Sequence, residues 1–143
     1  AQVYGRIQQV RFADRVIMIF DEVPEMALQF QVPRLILQPL IENAYEHGVK
    51  QRLQGGVIRV SFISESPDEI DIIVEDNGEG LTDERLNELT TWLDAPERVD
   101  PMESIALLNI QRRLLLFYRN DSRLTVERSD LGGLKCRLHI VRG

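Results

Sequence analysis

The chain has a single cysteine, Cys136, so no disulfide framework and no multi-cysteine metal site can form within it. In "LKCRLHI" that cysteine falls on the apolar register and reads as a small buried hydrophobe, which fits a reducing compartment. No stretch of about 18 apolar residues occurs, so no segment reads as a transmembrane helix. Basic excess is also missing: 17 Lys and Arg stand against 23 Asp and Glu, a net charge of −6. Binding a phosphate backbone needs a positive surface, so no nucleic-acid partner is expected. The arginines of "NIQRRLLLFYR", Arg112, Arg113 and Arg119, read as a solvated helix face. Repeats, low-complexity runs and a signal-peptide pattern are lacking too.

What is present is an ordinary globular composition: 43% hydrophobic and 28% charged residues in a chain of 143, enough for one domain with a core. The opening "AQVYGRIQQVRF" reads as the tail of a helix. Residues 1–14 are therefore expected to be the end of a linker or helix from a longer protein, and 15–143 the domain. "RVIMIFD", 15–21, reads as a strand. Pro33 suits the first turn of a helix whose apolar stripe is Leu37, Leu40, Ile41 and Ala44, with Gly48 as its end. Ile58, Val60 and Phe62 alternate in one strand and Ile70, Ile72 and Val74 in the next, with "ESPDE" as the turn between them. "LTDERLNELTTWL" is helical. Asp100 as N-cap, Pro101 and Glu103 mark the start of a last helix reaching Tyr118. "SRLTVERSD" and "LKCRLHIV" flank "DLGG" as a closing hairpin. Paired strands and interspersed helices predict an α/β (α+β) two-layer sandwich, a mixed, mostly antiparallel sheet covered on one face by helices. Arg59, Ser61, Asp71, Lys135, Arg137 and His139 would line its open face.

Two places carry candidate chemistry. In "LQPLIENAYEHG", Asn43 and His47 lie one turn apart on the edge of the apolar stripe, with Glu42 and Glu46 further round towards solvent. Such a pair fits the wall of a pocket, but on the helix alone the favoured reading is two side chains satisfied by neighbouring backbone. In "VEDNGEG", Asp76 ends an apolar strand and Gly78 and Gly80 follow. Asn-Gly also marks hairpins, but a helical segment comes next rather than a strand. Two close glycines let backbone approach a ligand, and an aspartate at a strand end can accept from an exocyclic amine.

The combination is more specific. "ENA" with "HG", then a hairpin, then "DNGxG", then a helix with "xIxLxNIxxRL", resembles the ATP-binding domains of the gyrase, Hsp90, histidine kinase and MutL (GHKL) superfamily. "LILQPLIENAYEHG" resembles most the N box of LytS/YehU-type sensor histidine kinases, and the likeness covers essentially the whole chain. The resemblance implies a Bergerat-type fold and ATP and magnesium as ligands. It implies Asn43 on the metal, His47 near the phosphates, Asp76 accepting from the adenine amine, and Gly78 and Gly80 making room for the base. Ser104, Ala106 and Leu107 of "SIAL" would stand beside the phosphates, and residues 81–103 would form a lid. Asn109 and Arg113 match by spacing, without a direct role. The phosphoacceptor histidine would lie upstream of this chain, so no catalytic residue is assigned within it and the fragment alone should not autophosphorylate. Implied partners are that phosphoacceptor and dimerisation helix and a cognate response regulator, with a cytoplasmic location beneath a membrane sensor.

Several positions depart from the family pattern. Ser104 and Ala106 replace the glycines of "GIGL", and Glu46 stands where many relatives carry lysine. Together these imply ATP binding weaker by about an order of magnitude, about 1.4 kcal/mol. Leu134 replaces the threonine of the "GGT" turn. Pro39 occupies the place of the glutamate base of hydrolytic relatives, which argues against an ATPase of the gyrase or Hsp90 kind. A degenerate nucleotide domain acting through a partner, as a pseudokinase or anti-sigma-like regulator, is the alternative these departures keep open.

Overall fold

The computed structural model describes residues 8–13, 16–21, 34–49, 55–94, 106–118 and 122–141. The elements run β1 (Gln8–Ala13), β2 (Val16–Phe20), α1 (Arg34–Ala44) passing into a π-helical turn (Tyr45–Val49), β3 (Gly56–Ser66), β4 (Glu69–Asp76), α2 (Asp83–Asp94), α3 (Ala106–Phe117), β5 (Arg123–Arg128) and β6 (Leu134–Val141). Six strands form one sheet in the order β1-β2-β3-β4-β6-β5. Only β2 and β3 pair in parallel; the other pairs are antiparallel. The predicted mixed, mostly antiparallel sheet with helices on one face is the architecture observed.

Alternation builds that face. Ile58 and Val60 of β3, Ile70, Ile72 and Val74 of β4, and Cys136, Leu138 and Ile140 of β6 are all buried. Against them pack Ile36, Leu40 and Ala44 of α1, Leu89 and Leu93 of α2, and Leu107, Leu108, Ile110 and Leu114 of α3. The opposite face carries the polar set as expected. Arg59 forks onto Asp21 (Nε–Oδ1 2.9 Å, Nη2–Oδ2 2.7 Å). Asp71 receives both Arg137 (Nε–Oδ2 2.8 Å) and His139 (Nδ1–Oδ1 2.5 Å). Lys135 faces Glu127 at 3.3 Å.

The start of the chain corrects the sequence reading. Gln8–Ala13 is not the tail of a helix but an edge strand hairpinned to β2, with Gln8 opposite Phe20 and Arg11 opposite Ile17. "QQVRFA" alternates Val10 and Phe12, and a period of two with a β-branched and an aromatic residue favours a pleated edge once a partner strand is present. The sheet therefore crosses the boundary expected at residue 14; residues 1–7 lie outside the described residues.

α1 runs through Pro39. That residue removes one N–H from the helix ladder. The described part of the last helix is Ala106–Phe117, and its expected start at Asp100 and Pro101 lies outside the described residues. Of the expected lid, 81–94 is described and contains α2, seated on the core through Leu89 and Leu93; 95–103 lies outside. Among the described residues no helix is long and apolar enough to cross a membrane.

Candidate functional site

Asp76 is the last residue of β4 and is 3% exposed. A carboxylate so buried needs donors, and two backbone amides supply them. Oδ1 accepts from Gly78 N at 2.8 Å and from Leu134 N at 3.4 Å. Both bonds fall on Oδ1, so among the described residues Oδ2 carries none. Burial pushes the carboxyl above its usual range, the two amide bonds pull it down, and neighbouring Glu75 adds to the rise; the net shift is upward.

Two segments hold this residue in place. The first is its own neighbour. Asn77 accepts from Val57 N through Oδ1 at 2.8 Å and donates through Nδ2 to Gly55 O at 2.7 Å, which ties "DNG" to the start of β3. The second is the turn between β5 and β6. Gly133 N donates to Asp76 O at 3.0 Å. Ser129 Oγ donates to Glu75 Oε2 at 2.7 Å and accepts from Leu131 N at 3.0 Å. Gly133 is required by space: an added Cβ would lie 1.9 Å from Asp76 Oδ1. Gly80, at φ +74°, faces the same turn, its virtual Cβ 3.4 Å from Gly132 O. Asp76, Gly78 and Gly80 thus lie together beside this turn. Asn77, Ser129 and Gly133 are the supports the sequence reading did not assign. The signal for Gly133 was present in "DLGG": a turn needs one glycine at positive φ, here Gly132 at +114°, and a second glycine beside it points to close approach.

On the other side stands α1, which with its π turn packs against β4. Asn43 is 9% exposed, and among the described residues its side-chain amide has no hydrogen-bond partner. Among the described residues no side-chain polar atom is both buried and unpartnered, so the amide reaches accessible space rather than being sealed in the core. Its oxygen suits a hard cation. Glu42 and Glu46 are exposed, as expected. The turn after Asn43 is π-helical rather than α-helical, so Asn43 and His47 are not stacked at α spacing. Single π turns recur at functional sites. The His47 backbone lies in that turn; its side chain lies outside the described residues. Leu107 is 3% exposed and belongs to the core cluster, so its side chain packs rather than lines a pocket. Ala106 opens α3, its side chain outside the described residues, and Ser104 lies outside them altogether. Asn109 is half-buried and Arg113 exposed on the outer side of α3.

The chain resembles known proteins over this same region. It is 29% identical over 133 residues to the sensor protein LytS of Oceanobacillus iheyensis, covering 93% of this chain and 22% of that protein. To the sensor histidine kinase YpdA of Escherichia coli it is 33% identical over 115 residues, 80% of this chain and 19% of that protein. The chain thus spans about a fifth of the length of these relatives. Among solved structures, the ATP-binding domain of PrrB from Mycobacterium tuberculosis superposes with a TM-score of 0.52 at 24% identity, covering 77% of this chain and 66% of that one, a likeness of fold. The family model for histidine kinase-, DNA gyrase B- and HSP90-like ATPases matches residues 31–142, and the chain belongs to that family.

Proposed function

We propose that this chain is the ATP-binding catalytic domain of a two-component sensor histidine kinase. The observation that carries the reading is the Asp76 carboxylate, buried, clamped through Oδ1 and left with Oδ2 as an open acceptor. An acceptor-only group selects a ligand that donates there, as the exocyclic amine of adenine does. Gly78 and Gly80 keep the wall low enough for a flat base to reach it.

Asn43 would hold magnesium. Among the described residues no cluster of three His, Cys, Asp or Glu could hold a metal ion. An ion here would therefore be shared between one amide oxygen, waters and the nucleotide's phosphates, the usual habit of Mg²⁺. Bound there, magnesium neutralises phosphate charge. His47 would stand near the phosphates, and the backbone at Ser104, Ala106 and Leu107 would face them. The acceptor histidine belongs to the phosphoacceptor and dimerisation helix of the parent protein, outside this chain, with a response regulator as the next partner. The domain's share of catalysis is to hold the nucleotide so that the γ-phosphate meets that histidine in line, which is positioning and charge neutralisation rather than covalent chemistry. The relatives named as sensor proteins support this reading over a hydrolytic one.

Calorimetric titration of Mg-ATP, with Asp76→Asn as the control, tests it. Binding that the substitution abolishes is the expected result. Absence of binding up to millimolar ATP would put the partner-binding, degenerate domain ahead.

A further inference from the structure

Gln111 is a neutral residue in the middle of α3, 6% exposed, and it makes no contact that the nucleotide reading needs. Its amide nevertheless joins three elements. Nε2 donates to Leu93 O at 3.1 Å, and Oε1 accepts from Leu124 N at 2.8 Å. Leu93 is the penultimate residue of α2, where carbonyls have no partner within the helix. Leu124 lies in β5, the strand at the edge of the sheet, where an outward N–H has no strand to bond. One buried side chain thus satisfies two orphan backbone groups from two other elements.

The placement bears on the site. Gln111 lies one helical turn after Leu107, so it shares a face with the first turn of α3. At the start of α2, Asp83 pairs with Arg128 of β5 through an exposed ion pair, a type of contact that holds weakly. Leu89 and Leu93 seat α2 on the core through apolar packing, which is non-directional; the buried amide adds the directional attachment that sets the end of α2 against α3 and the sheet edge.

We propose that Gln111 is a positioning residue for nucleotide binding, setting the end of α2 and the first turn of α3 relative to the sheet that carries Asp76. This rests on the nucleotide reading above. Two substitutions separate positioning from mere packing. Gln111→Glu keeps an acceptor for Leu124 N and turns the donor towards Leu93 O into a second acceptor, so it releases α2 alone. Gln111→Leu releases both partners.

The experiment is Mg-ATP titration of wild type and both variants at a temperature where circular dichroism shows each folded, with amide hydrogen exchange on the same samples. The expected result is an affinity loss of about tenfold in both variants, since small misplacements of a binding element weaken it disproportionately. Exchange should quicken at the end of α2 in both, and at Leu124 only in Gln111→Leu. Wild-type affinity in a folded Gln111→Glu protein whose α2 exchanges faster overturns the proposal. Failure of both variants to fold overturns it too, because the amide would then be part of the core. A wild-type chain that binds no nucleotide overturns the reading of the site first, and this proposal with it.

Discussion

Gly133 stands against Asp76 so closely that a Cβ on it would lie 1.9 Å from Oδ1, 2.6 Å from the backbone oxygen of Asp76 and 2.8 Å from Gly78 N. The β5–β6 turn is therefore half of the cradle, although it lies more than fifty residues away in sequence.

Gly133→Ala should accordingly abolish nucleotide binding. The neighbours it meets are backbone and a clamped carboxylate, so either the turn or Asp76 must move. Overpacking of this kind costs about 1–3 kcal/mol. Gly132→Ala is the contrast: φ is +114° but nothing lies within 4 Å of the added atom, so it should lose stability through backbone strain alone, about 1–2 kcal/mol. Calorimetry and thermal melts of the two variants check this. Equal nucleotide affinity in Gly133→Ala and wild type would contradict the cradle.

Asp76→Asn should remove binding without lowering stability. Its Oδ1 can still accept from Gly78 and Leu134, while Nδ2 would turn a donor towards the exocyclic amine. The carboxyl's folded pKa lies above its ordinary value of 3.8 because of burial. The native state therefore holds this proton more tightly than the unfolded chain does. Asp76's contribution to stability is greatest below 3.8 and declines as pH rises through the raised value. The asparagine has no such slope. Melts of both proteins from acid to neutral pH should show Asp76→Asn gaining on wild type with rising pH; a wild type that gains instead would reverse the assigned sign.

Alternation in "LKCRLHIV", and in "EIDIIVED" apart from Ile73, which is buried as well, made the central strands and the buried face of Cys136 legible from sequence, because one-sided burial writes a period of two directly into the residues. The helices followed from their apolar stripes. β1 was not legible: six residues with only Val10 and Phe12 as pattern take their conformation from pairing with β2, which is a tertiary fact. Within the site, Asp76, Gly78 and Gly80 were readable because they are contiguous. Gly133 and Ser129 reach Asp76 and Glu75 only through the β4–β6 register, Glu75 opposite Lys135, and no local pattern encodes that. The π turn after Asn43 had no readable signal either, since its residues differ little from those of an ordinary helix end.

Cys136 should be inert in the native protein. It is buried opposite Val74 and Val126, and burial together with the nearby Asp76 charge pushes its thiol up to about 12. Only the thiolate reacts with alkylating agents. Iodoacetamide labelling should therefore be slow in buffer and follow unfolding as denaturant is raised. Rapid labelling under native conditions would mean that β6 opens locally.

Asp71→Asn should destabilise the fold and leave nucleotide binding alone. Asp71 sits towards the opposite end of β4 from Asp76, on the open face, and its two oxygens hold Arg137 and His139. The asparagine keeps one acceptor oxygen and puts two N–H donors where the other stood, against cationic Arg137 or the His139 ring. Losing one charge-assisted bond at a site where the aspartate is 15% exposed should cost about 1–2 kcal/mol. Screening by salt should shrink that cost, because Arg137 is 40% exposed. Melts at low and high ionic strength, paired with Mg-ATP titration of the folded variant, check both halves. A changed affinity would mean that the two ends of β4 are coupled, and the open face would then have to be counted as part of the nucleotide site.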